Sequence, residues 1–254
     1  MKLAPLLALA LGLVTPGLVR AAAAGPAAPV VFTSGEAHTR LIELFTSEGC
    51  SSCPPAEDWL AGLRNEPRQW RDFVPVSFHV VYWDNLGWPD RFATKAFTAR
   101  QYALAASWSG KQVYTPCFTL DGSEWKTLGN RAAPPAIGKA GVLRVEYAAD
   151  GATRVTFAPA GANTAAAYDV QLAFLGGGIS SEVRAGENAG HTLRHEFVAL
   201  SLTTCPMKPD GGGWQATTIV PKPVVAGVKD LALAAWVTPH GQLAPVQATG
   251  GWLP

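Results

Sequence analysis

Cys50 and Cys53 are separated by two residues in the run Leu41 to Ala56, which reads LIELFTSEGCSSCPPA. Thiols at that spacing close a small strained ring that opens and shuts by exchange with an external thiol. The nucleophile in such exchange is the thiolate. A free cysteine has a pKa of roughly 8.5, lowered to about 3.5–7.5 at a helix N-terminus. The elements that would supply this position are legible around the pair. Leu41 to Phe45 is apolar and strand-like, a small polar turn follows, and Pro54 and Pro55 suit a first helical turn, where a missing N–H costs nothing. Unpaired N–H groups and the helix dipole would then stabilise the anion. Glu48, Glu57 and Asp58 work against strong acidification, because nearby negative charge disfavours a thiolate. By analogy with redox C-x-x-C sites, Cys50 is expected to be the exposed attacking thiol and Cys53 the shielded resolving one. The same spacing also reads as half of a zinc site or as an inert structural disulfide. A closed zinc site needs four ligands, and only two lie close together here.

Composition narrows the setting. With 254 residues the chain is long enough for one large or two small domains, and its formal net charge of +1 gives no electrostatic reason to expect nucleic acid or an anionic membrane as partner. Lys2 followed by the apolar run Leu3 to Val14 and the small residues Ala21 to Ala24 has the anatomy of a secretory signal peptide. The apolar run is short for a membrane span. The expectation is an exported protein, periplasmic or secreted, in a compartment where disulfides persist and with no membrane association after signal cleavage.

Along the chain, Thr39 to Phe45 reads as a buried strand and Ala56 to Leu63 as a helix limited by Pro67. Phe73 to Trp83 (FVPVSFHVVYW) is a long β-branched and aromatic run, Asp84 to Asp90 a turn, and Arg91 to Ser107 a helix. Val113 to Leu120 is a short strand entered through Thr115–Pro116. Asp121-Gly122 signals a hairpin returning through Ser123 to Leu128, and Asn130 is placed to cap a last helix near Pro134 and Pro135. From Gly141 the pattern changes to strands over Val142 to Ala148, Thr153 to Ala158, Tyr168 to Leu175, His191 to Thr203, Gln215 to Val220 and Leu231 to Thr238. The loop Gly186 to Gly190 (GENAG) is either a hairpin turn or a segment reaching toward Cys50.

The segments FTSEGCSSCPPAE, FHVVYWDNLGWPDRFATKAFTARQ, VYTP and GENAGHTL, in that order, resemble a bacterial secreted thioredoxin-like family, domain of unknown function 1223. The likeness runs from about Thr39 to the C-terminus. It implies an α/β fold, a thioredoxin-like core (βαβαββα) with an additional C-terminal antiparallel β region, and a redox site at Cys50 and Cys53. It also implies that Pro116 is the cis-proline facing the cysteines. The buried acid of thioredoxin has no match, since Leu44 stands at its position and Glu43 is one residue away, on the opposite strand face. Cys117 and Cys205 are left over as an even pair in an exported chain, so a structural disulfide between them is expected; a third exchanging thiol at Cys117 is the rival. Trp83, with Asp84, Thr115 and Pro116, is the expected substrate rim, although Trp83 and Asp84 also fit a packing anchor and a turn cap. His79, amid apolar neighbours, reads as a satisfied core histidine.

The domain organisation expected is a signal peptide over 1–24, a linker over 25–38, the thioredoxin-like domain over 39–140 and a β-rich domain over 141–254. The function expected is thiol–disulfide oxidoreduction on cysteine-containing proteins of the exported compartment, with no cofactor and no resident metal. A metal-binding or delivery protein using the same cysteines, and a non-catalytic binding module, are the alternatives.

Overall fold

β3, Phe73–His79, has all seven of its residues buried, and a strand so enclosed needs partners along both edges as well as cover on both faces. In the computed structural model, which describes residues 28–126, 132–161 and 166–254, both partners are present. The strands before it are β1 (Val30–Thr33) and β2 (Arg40–Thr46), and those after it are β4 (Cys117–Leu120), β5 (Ser123–Glu124), β6 (Gly141–Tyr147) and β7 (Ala152–Pro159). Then come β8 (Tyr168–Gly177), β9 (Ile179–Glu182), β10 (Thr192–His195) and β11 (Val198–Pro206). The last are β12 (Lys208–Asp210), β13 (Gly213–Ile219), β14 (Asp230–Pro239) and β15 (Gln247–Trp252). Two α-helices, α1 (Pro54–Gly62) and α2 (Lys95–Ala105), lie between β2 and β4.

These strands make an eight-stranded sheet in the order β15-β14-β8-β11-β3-β2-β4-β5, a five-stranded sheet β1-β6-β7-β13-β12, and the hairpin β9–β10. β2 and β3 run parallel, with Thr46 opposite His79 at their carboxyl ends. β11 meets β3 in parallel at Val198 and Ser77 and pairs with β8 antiparallel.

The expected α/β class, a thioredoxin-like core (βαβαββα), is therefore corrected. Of the described residues 44% are strand and 13% helix, and the largest sheet carries strands from both sides of residue 140. The reason is visible in β8 and β14. Along β14, Ala232, Ala234 and Trp236 enter a core shared with Leu60 of α1 and with Phe97 and Leu104 of α2. Leu233, Ala235 and Val237 enter a second core with Val145, Val155 and Phe157 of the five-stranded sheet. Side chains alternate between faces, so one strand serves two cores and reads as a continuous apolar run. β1 lies within the stretch expected to be a linker, paired with β6.

Several local expectations shift too. β3 ends at His79 because residues 81–86 wind into a 3₁₀ turn, stopped by Gly87 at φ 100°. α2 begins only after Thr94, whose hydroxyl accepts from the Phe97 N–H at 3.1 Å. The helix expected near Pro134 and Pro135 is absent over 132–140. The signal peptide, Leu128 and the Asn130 cap lie outside the described residues.

Candidate functional site

Cys50 and Cys53 are joined in a disulfide with Cα atoms 5.4 Å apart. Cys53 is the N-cap of α1, with Pro54 and Pro55 opening the helix. Its carbonyl accepts from the Ala56 and Glu57 N–H groups at 2.9 and 3.2 Å. Neither of the first two helical residues has an N–H to satisfy, so the proline pair closes this end without a side-chain cap. Both cysteines are 0% exposed. The expectation of an exposed Cys50 is thus corrected: Ser51 and Ser52 are the exposed residues of the turn.

The cover comes from the GENAG loop. Glu187 Oε2 accepts from the Ser51 N–H and hydroxyl at 3.0 and 2.7 Å. Asn188 Nδ2 donates to the carbonyls of Glu48 and Cys50 at 2.9 and 3.0 Å. Gly186 and Gly190 bound the loop at φ 77° and 84°, a region that costs glycine little. The Ser51 hydroxyl and N–H hold the Glu187 carboxyl below its ordinary pKa.

Trp83 links this turn to the loop before β4. A Cβ at Gly49 would stand 3.1 Å from the Trp83 Cβ, and Trp83 Nε1 donates to Thr115 Oγ1 at 2.7 Å. Thr115–Pro116 is a cis peptide. Trp83, Thr115 and Pro116 thus lie in one neighbourhood. Asp84 accepts from the Asp90 N–H at 3.1 Å, and burial raises its pKa.

The bridge expected between Cys117 and Cys205 is not formed, and both thiols are free. They sit on β4 and β11, three strand spacings apart in the sheet order. At about 4.8 Å per spacing that is roughly 14 Å, twice the reach of a disulfide. Burial pushes the Cys117 thiol up to about 11.

Next to the disulfide lies a cluster that the sequence reading did not assemble. Glu48 comes from the turn before Cys50, Glu57 from α1, His79 from the end of β3, Asp90 from the following loop and His195 from the end of β10. All five are buried. His79 Nδ1 is 2.6 Å from Asp90 Oδ2. His195 Nδ1 bonds Glu57 Oε2, and its Nε2 lies 3.3 Å from Glu48 Oε1. Thr46 Oγ1 donates to Glu57 Oε1 at 2.5 Å and Trp88 Nε1 to Glu48 Oε2 at 2.7 Å. Phe92 walls the pair of imidazoles, with ring centroids 5.5 and 6.2 Å from theirs.

The electrostatics follow from this packing. Burial would raise Asp90, yet the His79 ring beside it and two backbone N–H groups hold it at about 2. Glu57 and Glu48 are likewise pushed up by burial but held below the ordinary carboxylate range, chiefly by His195. Burial would lower His195, and the flanking Glu57 and Glu48 outweigh it, raising it to about 10. From the sequence, Glu48 and Glu57 count only as charges opposing a thiolate and His79 as a satisfied core residue. Its Nδ1 is satisfied, whereas its Nε2 is buried with no hydrogen-bond partner. An imidazole inside FVPVSFHVVYW and a second one in HTLRHEF were the available signals, 116 positions apart in the chain.

A family model described as protein of unknown function (DUF1223) matches residues 41–238. Among solved structures, the crystal structure of protein AGR_C_4864 from Agrobacterium tumefaciens is similar at 25% identity and a TM-score of 0.57, over 86% of this chain and 95% of that one. HBP35 of Porphyromonas gingivalis shares 11% identity with a TM-score of 0.56, over 87% of this chain and 76% of that one, a likeness of fold alone. None of the curated proteins matches.

Proposed function

The chain belongs to the DUF1223 family of proteins of unknown function, and within that family we propose that its Cys50–Cys53 pair is a thiol–disulfide exchange site acting on cysteine-containing proteins of an exported compartment. The observation that carries this reading is a disulfide spanning the N-cap of α1. A thiolate released there meets the positive end of the helix dipole, which favours it as a leaving group. In exchange, a partner thiolate attacks one sulfur of the pair, a mixed disulfide forms and the other cysteine leaves as thiolate. A second partner thiol then attacks the mixed disulfide, so two electrons pass to the Cys50–Cys53 pair and the partner gains a disulfide. The reverse sequence reduces a partner. Cys50 would form the mixed disulfide and Cys53 would resolve it, with Thr115, Pro116, Trp83 and Asp84 at the rim. Export rests on the signal-like residues 1–24.

Because both sulfurs are covered, exchange in this reading requires the Gly186–Gly190 loop to lift. The test is the reduction potential of Cys50–Cys53 in the full chain, with trapping by Cys53→Ser. A potential above about −300 mV and accumulation of mixed disulfides in Cys53→Ser are expected. A potential below that value, with no trapped partner, would make the bond structural.

A further inference from the structure

We propose that Glu57, His79 and His195 form a binding site for a divalent transition-metal ion of the zinc kind, with Glu48 beside them as a further donor and Asp90 positioning His79. Geometry is the first support: Glu57, His79 and His195 each bring a ligand atom to within 4.8 Å of the others, all buried. Three loops and elements far apart in the chain converge for this, at the carboxyl ends of the parallel pair β2 and β3.

The second support is unspent ligand capacity. His79 gives its Nδ1 to Asp90, which fixes the ring and leaves Nε2 as the donor atom. A carboxylate behind a ligating imidazole is the usual orienting arrangement at metal centres. His79 is 0% exposed, and its Nε2 has no hydrogen-bond partner; His195 Nε2 and Glu48 Oε1 make none either but face each other at 3.3 Å. An ion triad of His195 between Glu48 and Glu57 accounts for His195 alone. It leaves His79 Nε2 buried without a hydrogen-bond partner.

Charge supplies the third support. Glu48, Glu57 and Asp90 are three buried carboxylates facing two imidazoles, and neither lysine nor arginine is among the groups that stabilise them. A dication bound to the two imidazoles in their neutral form would offset two of the three negative charges. Two imidazoles with one or two carboxylates and no thiolate suit Zn²⁺ or Co²⁺ better than Cu⁺, which prefers sulfur, or Ca²⁺, which prefers all-oxygen shells. Surface clefts reach the cluster from two sides. One is lined by Glu57, Pro54, Asn188 and Thr192, the other by Glu48, Trp88, Arg91 and Ser181.

The site stands apart from the redox reading, since Cys50 and Cys53 are bonded to each other. The experiment uses the full chain in its oxidised form, stripped with a chelator and titrated with Zn²⁺ and with Co²⁺. One equivalent per chain is expected. The Co²⁺ form should show d–d absorption with no thiolate charge-transfer band, and the Cys50→Ser/Cys53→Ser double variant should bind as well as the parent. His79→Ala should abolish saturable binding, and Asp90→Asn should weaken it by about 10–100-fold. If near-ultraviolet dichroism shows that His79→Ala does not fold, the parent's stoichiometry and spectrum together with Asp90→Asn decide. No uptake by the folded parent, a thiolate band that disappears with the cysteines, or unchanged affinity in Asp90→Asn would overturn the proposal.

Discussion

Two buried carboxylates only five residues apart, Glu43 and Glu48, meet opposite fates. Glu43, in the middle of β2, has both carboxylate oxygens bonded: Arg100 Nε donates to it at 2.6 Å and Thr119 Oγ1 at 3.0 Å. The Arg100 guanidinium also lies over the rings of Phe78 and Trp236. One acid faces one base there, and the buried atom left without a hydrogen-bond partner, Arg100 Nη2, is a donor with no lone pair to offer a cation. Glu48 belongs to a set with three acids and two imidazoles, in which His79 Nε2 has no hydrogen-bond partner and Glu48 Oε1 meets His195 Nε2 only at 3.3 Å. A balanced, hydrogen-bonded pair is explained by the scaffold it ties together. A set with charge and lone pairs left over is not, and buried polar atoms without partners are uncommon enough to require a reason.

That contrast can be broken at either end. The largest effect is expected at the closed pair. Arg100→Leu leaves Glu43 buried without its counter-charge, and such half-removal of a buried pair costs about 3–5 kcal/mol. Denaturant unfolding would measure it, and a loss under about 1 kcal/mol would show that Glu43 finds other compensation. Metal uptake by whatever fraction stays folded should be unchanged. Next in size is Trp88→Phe, which deletes the indole donor to Glu48 Oε2. Hydrogen bonds to charged groups contribute roughly 1.5–3 kcal/mol, so a loss in that range is expected from the metal-stripped chain. Added Zn²⁺ should reduce the loss, because the carboxylate would then have another partner; an identical loss with and without Zn²⁺ would speak against Glu48 as a donor.

How much of this was legible beforehand divides along the same line. Cys50, Cys53 and the proline-opened helix are local features, and local spacing carries them; the cis bond at Thr115–Pro116 followed from the family resemblance instead. The fold class failed because β11 pairs with β3 and β8 with β14 across long stretches of chain, and pairing partners leave no mark in either strand's own periodicity. Cys117 and Cys205 invited a bridge by parity alone, without the sheet order that separates them. The histidine–carboxylate cluster draws on residues from 48 to 195. Its members look unremarkable singly: Glu48 and Glu57 entered the reading only as charges opposing a thiolate.

The GENAG loop offers a smaller, sharper probe of the same region. Asn188 donates two hydrogen bonds that close the loop over the disulfide turn. At about 1 kcal/mol each net, their loss in Asn188→Ala should raise the population of the open loop roughly tenfold or more. Reduction of Cys50–Cys53 by a small-molecule thiol should accelerate accordingly, with little change in the reduction potential. An unchanged rate would mean that the cover is not what limits access to the sulfurs.

The least perturbing experiment starts from the unaltered sequence and reads the Glu43 side through its thiol. Cys117 sits opposite Phe45 in the β2–β4 ladder, two residues along β4 from Thr119, which bonds Glu43. It is 0% exposed, and burial lifts its pKa to about 11. A raised thiol pKa keeps the unreactive protonated form dominant until pH approaches that value. At pH 8 the thiolate is then about one part in a thousand, and thiolate content governs alkylation. Cys205, on β11, is partly exposed. Iodoacetamide added to the native, oxidised chain at pH 8 should therefore modify Cys205 alone, as peptide mass mapping would show. Unfolding the chain in denaturant should expose Cys117 to the same reagent, and Arg100→Leu, by loosening the closed pair, should bring that exposure to lower denaturant. Prompt modification of Cys117 in the native chain would mean that the Glu43 side opens more readily than its pairing with Arg100 and Thr119 implies, and the contrast between the two clusters would lose its basis.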